Sequence, residues 1–120
     1  MRLRAVEVKA YVPAQDFTVS RAFYRDLGFA EDWATDELAC FSRDGAAFLL
    51  QNFHLPEHTA NFQMHLLVED VDAWWQTIAS SGLIDRYLVR AEAPADRPWG
   101  MRDFVLFDPS GVLWRIGQPL

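Results

Sequence analysis

The sequence predicts an α+β chain of two tandem β-α-β-β-β modules, and three observations predict it. A strand, a capping residue, an aromatic helix, a glycine and a further strand occur once in each half. Val12…Asp16…Ala22-Phe23-Tyr24…Leu27-Gly28-Phe29 is matched by Val68…Asp72-Ala73-Trp74-Trp75…Ile78…Gly82-Leu83. In each half the helix is followed by short apolar segments separated by turn residues, the pattern of sheet strands. Finally, 120 residues with 51% hydrophobic content suffice for one domain with a real core, and not for two ordinary domains. The modules span about 3–53 and about 61–118 within a single domain, 1–120.

Val6, Val8, Ala10 and Val12 alternate with Glu7, Lys9 and Tyr11, which predicts a first strand that Pro13 ends. Asp16 caps a helix with the apolar stripe Val19, Ala22, Phe23 and Leu27, and Gly28 closes it. Strands follow at about Phe29–Trp33, Leu38–Ser42 and Ala46–Phe53, the last two joined at Asp44-Gly45. His54 to Ala60 reads as a connector. In the second half Gln63–Val68 is a strand, and Asp70 or Asp72 opens a helix with the stripe Val71, Trp74, Trp75 and Ile78, closed by Gly82. A strand near Arg86–Arg90 and an irregular Ala93–Gly100 loop come next. Two final strands, about Asp103–Phe107 and Val112–Gly117, flank the turn Asp108-Pro109-Ser110-Gly111.

Composition excludes several classes of function. Aromatic content of 14% argues against disorder. A net charge of −6 and a pI near 4.9 argue against a nucleic-acid partner, which needs clustered Lys and Arg. No segment reaches the ~20 apolar residues of a membrane span, and Met1-Arg2-Leu3-Arg4 opens no signal-peptide pattern, so the expected location is cytoplasmic. The single cysteine, Cys40, excludes a disulfide framework and reads as a buried, inert thiol.

With each helix on one face of its sheet, the other face carries Glu7, Lys9, Tyr11, Gln51, Gln63, His65, Leu67, Leu113 and Arg115. Were the two sheets to curve towards each other, these residues would line a cleft, and polar tips among apolar walls suit a small molecule. Trp114, Phe23, Trp74 and Trp75 read mainly as core. Trp33 and Trp99, with Phe41, read as ligand-facing: a tryptophan beside acids suits a flat cationic ligand. Packing across a dimer would account for the same tryptophans. His54 and His58 flank Pro56 and read as surface loop residues.

Phe23-Tyr24-Arg25-Asp26-Leu27-Gly28-Phe29, Val68-Glu69-Asp70-Val71-Asp72 and Phe107-Asp108-Pro109-Ser110-Gly111 resemble the vicinal-oxygen-chelate superfamily, which contains glyoxalase I, extradiol dioxygenases, fosfomycin-resistance enzymes and bleomycin-resistance proteins. Pro98-Trp99-Gly100-Met101-Arg102-Asp103-Phe104 looks most like the bleomycin-resistance branch. The resemblance implies metal-ligand positions near Glu7 or Lys9 and at Gln51, Gln63 and Arg115, the last being Glu in metal-binding members. Arg115 is a permanent cation and no ligand, so no metal and no cofactor is expected. The resemblance further implies a homodimer whose clefts draw on both chains, holding a hydrophobic or cationic small molecule, with bleomycin-type antibiotics the named candidates, by stoichiometric binding. The expected ligand contacts are Trp33, Phe41, Gln51, Gln63, His65, Trp99, Met101 and Arg115, with no catalytic residue. A metal-dependent lyase, isomerase or dioxygenase is the alternative. A structural dimer with an empty cleft is a third reading, favoured by a buried Trp99 or by an Arg115 locked in a salt bridge.

Overall fold

The computed structural model describes residues 2–120. In chain order its elements are β1 (Tyr11–Pro13), α1 (Phe17–Leu27), β2 (Ala30–Ala34), β3 (Leu38–Arg43), β4 (Ala46–Gln51), α2 (Pro56–Thr59), β5 (Gln63–Leu67), α3 (Val71–Ser81), α4 (Leu83–Tyr87), β6 (Ala91–Asp96), β7 (Met101–Phe107) and β8 (Leu113–Pro119). They form two four-stranded sheets, ordered β1-β4-β3-β2 and β5-β8-β7-β6. In both, the first strand runs parallel to the last and the remaining pairs are antiparallel. The second sheet thus repeats the topology of the first, as the duplicated pattern predicts.

The helix ends follow the local rules. Asp16 and Asp70 accept from the amides of Val19 and Ala73, and Gly28 and Gly82 end α1 and α3 in the left-handed conformation. Helix α1 covers one face of the first sheet and α3 one face of the second. Phe23, Tyr24, Phe41, Phe48 and Leu50 join Leu66, Phe104, Leu106, Trp114 and Ile116 in one continuous core. At its centre the Tyr24 hydroxyl donates to Asp108 Oδ2 (2.6 Å) and accepts from Trp114 Nε1 (2.9 Å), tying α1 to the second sheet. Tyr24 is buried and Val19 half-exposed, so the buried stripe of α1 is rotated from the expected one towards Phe17, Ser20 and Tyr24.

Four elements differ from expectation. The first strand is confined to Tyr11–Pro13, and Val6 and Val8 are 90% and 91% exposed. Their alternation gives this arm an apolar side that no element of the same chain covers. Around Arg86–Arg90 the chain forms α4 and not a strand: Leu83 is buried, and Ile84 and Tyr87 pack on the core at helical spacing. The Tyr87 hydroxyl and Arg86 Nη1 both donate to Asp26 at the end of α1. Within Ala93–Gly100 the chain begins as strand β6, tolerated despite Pro94 because β6 is an edge strand whose register shifts between Glu92 and Ala95. Pro56 opens the short helix α2 and so does not break it; His58 lies on that helix, and His54 Nδ1 bonds Thr59 Oγ1 (3.1 Å).

Candidate functional site

Each sheet has a second face that carries no helix. Strand alternation decides what lies there. On the second sheet the register places His65 beside Arg115, Arg115 beside Val105, and Val105 beside Glu92. The adjacent rows hold Gln63 beside Leu113 and Leu67 beside Gly117, which faces Asp103. Met101 opens β7 on the same face. The hairpin from β6 to β7 carries Trp99, 58% exposed, with the Arg115 guanidinium 5.5 Å from its ring centroid.

Asp103 organises this face. It is only 2% exposed, and its Oδ1 accepts from Arg97 Nε at 2.9 Å and Arg115 Nη1 at 3.3 Å. Arg97 also closes the hairpin, its amide donating to the Met101 carbonyl and its carbonyl accepting from Gly100. Gly117 gives Asp103 room: a Cβ at that glycine would lie 2.7 Å from the Asp103 Cβ and 2.8 Å from the Arg102 carbonyl. One buried carboxylate therefore fixes both the guanidinium beneath Trp99 and the loop that presents Trp99.

The first sheet's open face is different in kind. It holds Leu38, Cys40 and Ser42 on β3, Ala47, Leu49 and Gln51 on β4, and Trp33 opposite Cys40. The N-terminal arm runs beside it, its Glu7 and Lys9 paired at 2.5 Å, and with Asp32, Cys40, Ser42 and Ala47 it lines an open pocket of about 440 Å³. Cys40 is buried here, and burial raises its thiol pKa. The buried thiol is as expected, although it faces the arm and not the aromatic core.

Of the eight expected ligand contacts, Gln63, His65, Trp99, Met101 and Arg115 lie on or over the second sheet's open face. Trp33 and Gln51 lie on the first sheet's open face. Phe41 belongs to neither. It is fully buried on the helix side, 5.5 Å from Phe48 and stacked on it. In the run Leu38-Ala39-Cys40-Phe41 every residue is small or apolar, so the pattern does not show which side faces the helix. Sequence reasoning missed Asp103, Arg97 and Gly117. The available signals were a carboxylate inside an apolar strand and a glycine in the middle of another.

The positions that the resemblance assigns to metal ligands do not fit a divalent cation. Gln51 and Gln63 offer only neutral amide oxygens, Glu7 is paired with Lys9, and Arg115 brings a fixed positive charge. Among the described residues no three His, Cys, Asp or Glu side chains converge. Arg115 is salt-bridged but Trp99 is open, so only one of the two marks of an empty structural cleft is present.

A model of the Glyoxalase/Bleomycin resistance protein/Dioxygenase superfamily matches residues 6–116. Among solved structures, a bleomycin-binding protein complexed with bleomycin is 23% identical, with a TM-score of 0.81, the match covering 97% of this chain and 100% of that one. The bleomycin-binding protein from bleomycin-producing Streptomyces verticillus, complexed with copper(II)-bleomycin, is 19% identical over 96% and 97%, also at 0.81. Lactoylglutathione lyase from Agrobacterium tumefaciens is 18% identical over 97% and 95%, at 0.69. At these identities the likeness is one of fold. No curated protein matches the chain in sequence.

Proposed function

Because the chain belongs to the Glyoxalase/Bleomycin resistance protein/Dioxygenase superfamily, we propose that it is one of the superfamily's binding proteins, holding a small ring-bearing molecule stoichiometrically without a metal. The observation that carries this reading is Trp99. An aromatic ring exposed on a pinned hairpin, with a guanidinium across it, is a stacking platform for a flat ligand. The neighbouring His65, Gln63 and Met101 supply polar tips and a soft apolar wall. Two solved structures of this fold hold bleomycin, which makes that antibiotic the first ligand to test.

The working form in this reading is a homodimer. Both sheets leave one face without a helix, and the pocket at Cys40 takes no residue from the second sheet. A second copy would cover the apolar side of the arm and set Trp33 of one chain near Trp99 of the other. Tryptophan fluorescence titrated with bleomycin, with and without copper, tests the proposal, with sedimentation equilibrium reporting association. Saturable quenching at one ligand per chain, in the micromolar range or tighter, with the ligand recovered unchanged, is the expected result. Turnover of the ligand would replace the reading with an enzymatic one. The Arg115–Asp103 salt bridge favours a second reading, a structural dimer, in which Trp99→Ala weakens association and no ligand saturates.

A further inference from the structure

From the pair of arginines gathered on Asp103 we infer that the ligand carries an acidic group, a carboxylate or sulfonate, beside its aromatic ring, and that Arg115 receives it. The inference rests on the binding reading above and names one functional group of that ligand.

Arg97 and Arg115 both donate to a single oxygen of Asp103, at 2.9 and 3.3 Å. Two permanent positive charges thus share one negative charge, leaving about +1 at this spot. The two arginines are differently committed. Arg97 spends Nε on the carboxylate and reaches the Asp103 carbonyl through Nη2 (3.5 Å), so it serves the hairpin. Among the described residues the Arg115 side chain makes one hydrogen bond, through Nη1, and it is 34% exposed on the open face. The rest of its fork makes no hydrogen bond among the described residues, and the guanidinium lies beside the Trp99 ring.

In the same row Glu92 lies on β6, two strands from Arg115, and among the described residues it forms no ion pair with Arg115. Charges in solvent are screened over about 8 Å at physiological ionic strength. The same screening confines the repulsion from the acidic protein as a whole, while the contact with Arg115 operates at hydrogen-bond range.

Two probes separate the acid from the ring: 1-anilinonaphthalene-8-sulfonate and the uncharged N-phenyl-1-naphthylamine, which has the same rings without the sulfonate. The expected result is saturable binding of the sulfonate at one per chain, at least about ten-fold tighter than the neutral probe. Arg115→Gln is expected to weaken the sulfonate about ten-fold or more and the neutral probe by less, so that the preference is lost. Trp99→Ala is expected to weaken both. Arg97 still pairs Asp103 in Arg115→Gln, so the fold is retained, and loss of the preference at 1 M salt (Debye length about 3 Å) tests the wild-type chain without any substitution. Equal or tighter binding of the neutral probe overturns the acidic group but leaves ring binding standing. A preference that survives Arg115→Gln places the anion elsewhere and overturns the assignment. If neither probe saturates, the binding reading itself fails.

Discussion

Replacing Tyr24 with Phe removes one oxygen from the most enclosed point of the molecule. Tyr24 is fully buried, and its ring contacts Phe48 at 4.8 Å, Phe23 at 5.2 Å and Trp114 at 5.7 Å. Phenylalanine keeps those contacts and leaves almost no cavity, so the cost is confined to hydrogen bonds. The Trp114 indole N–H loses its acceptor, about 1–3 kcal/mol for a buried neutral donor. Asp108 Oδ2 loses its donor, about 1.5–3 kcal/mol for a charged acceptor, although Oδ1 keeps the amides of Ser110 and Val112. Removing the hydroxyl's own burial cost offsets part of this, and the net expectation is about 3 kcal/mol. With a urea m-value of about 1–3 kcal/mol/M, the midpoint falls by roughly 1–3 M at unchanged m, measured at fixed protein concentration. Burial holds the Asp108 carboxyl above its ordinary value while the Tyr24 bond pulls it down. A folded pKa raised above the unfolded one means that stability is lost as pH rises through that window. Losing Tyr24 raises the Asp108 pKa further, so the deficit of Tyr24→Phe is smaller in acid than at neutral pH. A midpoint shift worth less than about 0.5 kcal/mol, or a deficit independent of pH, would refute the argument.

Glu31 lies at the opposite pole electrostatically. The hydrogen bond from Arg21 (2.8 Å), aided by Arg25, holds its carboxyl below the ordinary 4.5. Its contribution is therefore complete above that value and lost as pH falls through the lowered one. Glu31→Gln is expected to flatten the acid limb of stability in urea melts taken between about pH 3 and pH 7, and an unchanged limb contradicts this. Cys40 is expected to react slowly with iodoacetamide in the folded protein, since burial raises its thiol, and a rate like that of a free thiol would sink the assignment. Gly117→Ala sets a Cβ against Asp103, so it is expected to cost about 1–3 kcal/mol and to erase the preference for the sulfonate probe together with the Asp103 bonds. Retention of both stability and preference would show that Asp103 does not organise the face.

Much of the architecture was legible because its signals are local. Asp16, Asp70, Gly28 and Gly82 mark helix ends by backbone chemistry that needs no tertiary partner. The open face of β5 and β8 was legible because polar and apolar residues alternate there: Gln63 and His65 against Met64 and Leu66, and Arg115 against Trp114 and Ile116. Alternation fails in β3, where both faces are apolar, and for that reason the sequence does not show that Phe41 faces the helix. The segment after Gly82 reads equally well as strand or helix over a few residues. Asp26 on α1 settles it by binding Arg86 and Tyr87, a pairing across the chain that periodicity does not reveal. The Asp103 cluster is likewise non-local, assembled from a hairpin, β7 and β8.

If each cleft takes one wall from each copy, ligand affinity and association are linked thermodynamically. The factor by which dimerisation tightens ligand binding is then the factor by which ligand tightens the dimer. Trp33 and Trp99 lie on open faces of different sheets, and β1 and β5, the strands parallel to their last strands, begin separate modules. A single chain offers the ligand only the Trp99 wall. Diluting the protein below its dimer dissociation constant is therefore expected to weaken the sulfonate probe. Saturating probe is expected to lower the concentration at which the dimer dissociates by the same factor, read from fluorescence anisotropy and sedimentation equilibrium on the same samples. Removing residues 2–10 exposes Cys40 and uncovers the first sheet's face, so the truncated chain is expected to lose the coupling while keeping monomer-like binding at Trp99. Affinity that does not change with dilution across the dissociation range would place the whole site within one chain and would leave the open face of the first sheet without a role in binding.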